Sequence, residues 1–150
     1  MAISAENIGK SIISGFSKGG SVSFPTPYLG LFTTMPGTDG TGGVEVAYPE
    51  YSRVKINATG VEGSAIMCDP YIEAGTGEDA GKTITATKNQ EIIYFPEAET
   101  GAGGTVVGFG LFSAKTGGYL YMWGDLKSNV TINQYSVPMF RADDFVLKLK

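Results

Sequence analysis

The sequence predicts an all-β chain: an antiparallel β-sandwich or jelly-roll-like domain carrying one N-terminal α-helix. Three observations predict it. Twenty-two of the 150 residues are glycine, about twice the usual share and without the three-residue period of collagen, which calls for many short elements joined by tight turns. From Phe24 onward, short apolar and β-branched runs recur between Gly and Pro punctuation, which is the pattern of strands. A charged fraction of 17% beside 42% hydrophobic residues excludes intrinsic disorder, and the length suits one compact domain.

The helix is expected first. Ser4 suits an N-cap, Glu6 lies in the first turn, and Ile8, Ile12 and Phe16 recur at i, i+4 and i+8 with Ile13 beside them. Gly19 and Gly20 end it, which divides the chain into a helical arm at 1–20 and a β-sandwich domain at 21–150. So narrow an apolar stripe is marginal alone and must dock on the body or on a neighbouring subunit.

The strands begin with YLGLFTT at Tyr28–Thr34, followed by a turn-rich loop, MPGTDGTGG, from Met35 to Gly43. YSRVKI at Tyr51–Ile56 sets Tyr51, Arg53 and Lys55 against Ser52, Val54 and Ile56, the period-two signature of a strand with one wet face. SAIMC reads as a short strand, and EAGTGEDAGK as an exposed loop leading into TITAT. The C-terminal half offers EIIYF at Glu91–Phe95, TVVGFGLFS at Thr105–Ser113, GYLYMWG at Gly118–Gly124, NVTIN at Asn129–Asn133 and FVLKLK at Phe145–Lys150. AKTGG is a hairpin connection whose glycines can take positive φ. The near-continuous apolar character of Val106–Phe112 and Tyr119–Trp123 marks central strands, whereas Lys148 and Lys150 suit an edge.

Composition removes much of enzyme chemistry. Histidine is absent and Cys68 is the lone cysteine, so neither a Ser-His-Asp or Cys-His nucleophile nor a tetrahedral Cys/His zinc site can be assembled in one chain. Cys68, following Ile66 and Met67, reads as a small buried apolar filler. A net charge of −4 argues against nucleic acid, whose binding needs dense Lys/Arg contacts. No apolar run is long enough to span a membrane, and MAISAENIGK lacks the basic start and apolar core of a secretory signal.

The remaining motifs have plain structural readings. AGTGEDAGKT at Ala74–Thr83 ends like a phosphate loop, but the position five before Gly81 is Thr76, and the β-branched TITAT that follows is strand-like rather than helical. The glycines of 101–104 form a turn. Carboxylate pairs at Glu97/Glu99, Asp69/Glu73, Glu78/Asp79 and Asp143/Asp144 read as solvating loop charge rather than a glycosidase couple. The Asp69–Asp79 loop lacks the calcium-loop pattern. The sequons at Asn57 and Asn129 matter only in a glycosylating pathway. No catalytic residue, metal ligand or cofactor site is expected. Tyr119, Tyr121 and Trp123 occupy alternate positions and would share one strand face. With Ile8, Ile12 and Phe16 they are the candidate interface residues, and a carbohydrate-stacking platform is the alternative use of the three rings.

Several of these pieces, in this order, resemble a family of small structural proteins of tailed bacteriophages, the tail-fibre or minor virion proteins. The resemblance rests on the T-x-x-P turn at Thr33–Pro36, the F-P-E-A segment at Phe95–Ala98, the G-L-F-x-A-x-T-G-G hairpin at Gly110–Gly118, and the closing VPMFRADDFVLKLK. It implies a non-enzymatic virion component, assembled in the host cytoplasm, whose partners are other virion proteins such as the major capsid or tail proteins. Within that class we expect a capsid decoration or cement protein forming a symmetric homo-oligomer, with a trimer favoured. A tail, neck or fibre-attachment component is the second reading, and a carbohydrate-binding or receptor-binding module the third.

Overall fold

The computed structural model describes residues 26–56, 64–65 and 67–149, together with 2–3, 13, 17 and 19. The expected helix through Ile8, Ile12 and Phe16 lies outside those residues. Among the described residues the chain is all-β, with twelve strands in several antiparallel sheets. In chain order these are β1 (Ala2–Ile3), β2 (Tyr28–Thr34), β3 (Val44–Glu45), β4 (Val54–Ile56), β5 (Ser64–Ala65) and β6 (Tyr71–Ala74). They continue with β7 (Thr83–Lys88), β8 (Ile93–Tyr94), β9 (Gly104–Phe112), β10 (Leu120–Ile132), β11 (Met139–Phe140) and β12 (Val146–Leu149). The largest sheet runs β1-β10-β9-β2-β4-β5 with β3 pairing β2, while β12-β7-β6 and β11-β8 form two smaller ones. Only β4 and β5 pair in parallel among these strands.

The sequence boundaries of β2 and β9 are close to those observed, and β9 is central, between β10 and β2. AKTGG closes the β9–β10 hairpin, with Gly117 and Gly118 at φ +60° and +75°. The two strands expected at Gly118–Gly124 and Asn129–Asn133 are instead one thirteen-residue strand, β10. The interruption that the sequence suggests between them survives as a register shift between Asp125 and Val130, where β10 carries more residues than β9. EIIYF shortens to the two residues of β8, because Asn89 binds Glu91 O on one side and Pro96 follows on the other. β6 was hidden inside the segment read as loop, and β12 lies at a sheet edge, where its lysines were expected.

Alternation on β2 and β9 sends Leu29, Leu31, Phe109 and Leu111 into the main core, where Ile93, Phe95 and Phe145 meet them. A run of rings ties the three sheets together. Phe109 meets Phe145 edge-on at 5.0 Å, Phe145 meets Phe140 at 5.3 Å, and Phe140 meets Phe95 at 6.3 Å. Phe95 then stacks on Tyr51 at 6.2 Å, and Tyr51 meets Tyr48 at 5.5 Å. Each such pair contributes about 0.5–1.5 kcal/mol beyond burial.

Asn89 is the one buried polar residue among the described residues, fully shielded from water. Its Nδ2 donates to Glu91 O and Arg141 O, both at 2.7 Å, and its Oδ1 accepts from Phe145 N at 2.9 Å. The side chain therefore stitches the end of β7 to the connection between β11 and β12. Cys68, expected as a buried filler, is half-buried instead. It lies beside a strand edge, where its Sγ accepts from the Lys88 N–H at 3.4 Å.

Candidate interaction surface

The three aromatic candidates do not share one face. A register shift between Leu120 and Met122 breaks the alternation, so Leu120 packs with Trp123 while Met122 turns to the main core. Tyr119 precedes the strand and is exposed, Tyr121 is half-buried, and Trp123 is only 4% exposed. Trp123 joins Phe32 and Phe112 in a second cluster on the outer face of the large sheet, with Met35 and Leu120 at its margin. Gly40, at φ +78°, lies so close over the indole that a Cβ there would come within 3.2 Å of Trp123 Cη2. The Met35–Gly43 loop is thus a lid on the indole, which removes Trp123 as an open stacking platform for sugar.

Arg53 closes the other end of that outer face, and its surroundings differ from the wet face expected for Tyr51, Arg53 and Lys55. Its guanidinium forks onto Glu45, with Nε to Oε1 and Nη2 to Oε2 both at 2.8 Å. Nη1 donates to Ala114 O at 2.9 Å and Gly117 O at 2.7 Å, clasping the β9–β10 hairpin tip. The plane sits 3.4 Å over the Phe112 ring, a stacked cation–π contact. Tyr51 Oη donates to Glu45 Oε1 at 2.8 Å and accepts from Leu31 N at the same distance. Burial, then the Glu45 charge, pushes the Tyr51 hydroxyl well above its ordinary pKa. Burial, aided by Glu50, raises Tyr48 to about 12 while its Oη donates to Pro96 O at 2.5 Å. In this cluster, Arg53, Glu45 and Tyr51 thus hold β2, β3, the segment leading into β4 and the hairpin tip together, while Tyr48 ties in the segment after β8. Sequence alternation missed it because Glu45 arrives from a two-residue strand across a loop.

The chemistry-bearing motifs are placed as structure. Gly81 and Lys82 turn the β6–β7 hairpin, Lys82 Nζ pairs with Asp79 at 3.2 Å, and β7 follows where a phosphate loop needs a helix. Asp143 pairs with Lys88 at 2.8 Å and Glu73 pairs with Lys148. Among the described residues no three His, Cys, Asp or Glu side chains gather as metal ligands, and no helix is long and apolar enough to cross a membrane.

What the described surface does offer is apolar. β8 and β11 pair with Met139 opposite Tyr94 and Phe140 opposite Ile93. Tyr94 and Met139 are 51% and 52% exposed, and Val130 on β10 is 51% exposed. Val130 and Met139 flank a shallow notch floored by Leu31, Phe95 and Val106. Sequence reasoning missed this patch because β11 is two residues long and its outward residue, Met139, has no period to betray it.

A family model described as Podophage GP4 fiber I protein gp80 matches residues 5–148. No curated protein matches the chain.

Proposed function

Because the chain belongs to the Podophage GP4 fiber I protein gp80 family, we propose that it is a non-enzymatic structural part of a tailed-phage fibre, held in the virion by protein contacts. The match over nearly the whole chain carries this reading. The family description names a fibre protein, and this supports the tail or fibre role, the second of the sequence readings, over the capsid-decoration role. The sheets serve as the layers of a rigid antiparallel sandwich, the chain assembles as a homo-oligomer, a trimer on the sequence expectation, and the arm bearing Ile8, Ile12 and Phe16 grips a neighbouring virion protein. The absence of histidine and the commitment of Arg53, Glu45 and Tyr51 to holding strands together support a role in which contacts, rather than bond-making, are the work. Copy number per particle, read from a stained gel of purified virions, tests it: tens of copies or fewer support a fibre, and hundreds would return the protein to the capsid.

A further inference from the structure

We infer that the tip of the loop over Trp123, residues 37–43, opens as a unit while the sheets stay folded, and that Asp39 is the latch that holds it closed. The base of the loop is fixed. Thr34 pairs with Val44 across β2 and β3, and Thr33 Oγ1 donates to Val44 O at 3.2 Å. Pro36 is buried, and Met35 fills the space over Gly108, where any Cβ would strike its Sδ. Beyond that point the chain reads GTDGTGG, without an apolar side chain. Residues 37–39 and 41–43 are exposed, and Gly40 between them is half-buried.

Two opposing effects decide whether such a tip stays down. Closure gains one contact with the ring, Gly40 against the indole edge, where a Cβ would lie 3.2 Å from Cη2 and 3.3 Å from Cζ3. Closure costs the freedom of a seven-residue segment with four glycines, the residue that loses most backbone entropy when it is ordered. Gly42, at φ +74°, has open space where a Cβ would stand, so the chain can pivot there without striking a neighbour. A single glycine contact does not outweigh that entropy, and the closed form therefore depends on hydrogen bonds within the tip. Gly37 N–H donates to Thr41 O at 2.8 Å, and Gly40 N–H donates to Gly37 O at 2.9 Å. Asp39 adds two more, its Oδ1 accepting from Thr41 N at 3.0 Å and its Oδ2 from Thr41 Oγ1 at 2.9 Å. The Thr41 N–H, and then its hydroxyl, hold the Asp39 carboxyl below its ordinary pKa. It is therefore an ionised acceptor at neutral pH, and its two bonds are the charge-assisted ones of the set. They tie the two sides of Gly40 together and keep it against the ring. Short, exposed and poor in apolar contacts, the tip is the kind of segment that opens at less free energy than the whole molecule needs to unfold. Its opening uncovers the edge of Trp123, so the outer face of the large sheet has a covered and an uncovered form.

Trp123 is the sole tryptophan of the chain, so the fluorescence of the purified full chain reads the lid directly. Asp39→Ala is expected to raise the acrylamide quenching constant roughly twofold or more, while circular dichroism and the urea midpoint stay near wild type, as a local opening requires. Asp39→Asn, which keeps an oxygen for the Thr41 N–H, is expected to fall between the two. Unchanged quenching in Asp39→Ala, or quenching that rises only together with a lower urea midpoint, would overturn the inference. Amide hydrogen exchange on the unmodified chain gives a second reading that needs no variant to fold. Gly37, Gly40 and Thr41 are expected to exchange at rates that low urea leaves unchanged, because a local opening exposes little surface, whereas the amides of β2 and β9 follow the urea-sensitive global route. Loop amides with the urea dependence of β9 would mean that tip and sheets open together, and the latch would be refuted. The inference does not rest on the fibre reading: finding the protein on the capsid would sink that reading and leave the lid in place.

Discussion

The large sheet and the β8–β11 ribbon are both apolar on two faces, yet only the sheet covers both with its own chain. On β2 and β9 the outer face is roofed by Phe32, Phe112 and Trp123, by the loop over Trp123, and by Arg53. Glycines make that possible. Gly30 and Gly110 face one another across the strands, and a Cβ at Gly110 would fall 2.6 Å from Phe32 Cε2, while one at Gly30 would fall 2.6 Å from Glu45 Oε1. The two glycines form a groove floor into which rings and the Glu45 carboxylate sink. The ribbon has no such floor, and its outer side chains stand open. An unbroken apolar run in sequence therefore marks an apolar strand without saying whether the chain itself covers both faces, and the comparison separates residues that this chain covers from residues that it leaves open.

The sharpest way to break this contrast is Trp123→Ala. The indole is buried by its own chain, so its loss should cost about 3–5 kcal/mol in chemical denaturation. Dissociation of an oligomer with unchanged monomer stability would mean that the outer face belongs to a partner after all. Asn89→Ala follows, taking the partner from Glu91 O and Phe145 N and one of two donors from Arg141 O, at a cost of about 1–3 kcal/mol, and more if no water replaces them. Gly110→Ala should cost a similar ~1–3 kcal/mol by forcing Phe32 and Leu120 aside, and a neutral result would remove the groove floor as an explanation. Alkaline titration is gentler. Tyr48 is raised from 10.0 to about 12, and Tyr51 shifts the same way. A folded pKa above the unfolded one keeps its stabilisation intact below pH 10 and loses it as pH rises toward 12. The urea midpoint should therefore fall across that window, less so in Tyr48→Phe, and a flat profile would show the hydroxyls to be open to water. The smallest effect belongs to the ribbon: Tyr94→Ser should change monomer stability by no more than about 0.5 kcal/mol, and a large loss would place Tyr94 in the core.

Much of the large sheet was legible because β2 and β9 combine long apolar alternation with clear turns, and the glycines of AKTGG announced their hairpin. What escaped was assembled from distance. Arg53 alternates like a surface residue, and only the arrival of Glu45 across a loop and of the hairpin carbonyls makes it a clasp. The Tyr119, Tyr121 and Trp123 stripe assumed an unbroken period of two, and one register shift sent Leu120 and Met122 to opposite faces. β11 and β3, two residues each, are too short to leave any periodicity. The family resemblance was carried by the order of turns and hairpins, features that survive where individual strand boundaries do not, while the choice between capsid and fibre has no residue signature at all.

The claim beneath all of this is that the protein is a piece of the fibre, working by contact. Gold-labelled antibody raised against the purified chain, viewed on intact virions by electron microscopy, tests it most directly. The account predicts label on the tail fibres at a few sites per particle, and label spread evenly over the head would contradict it.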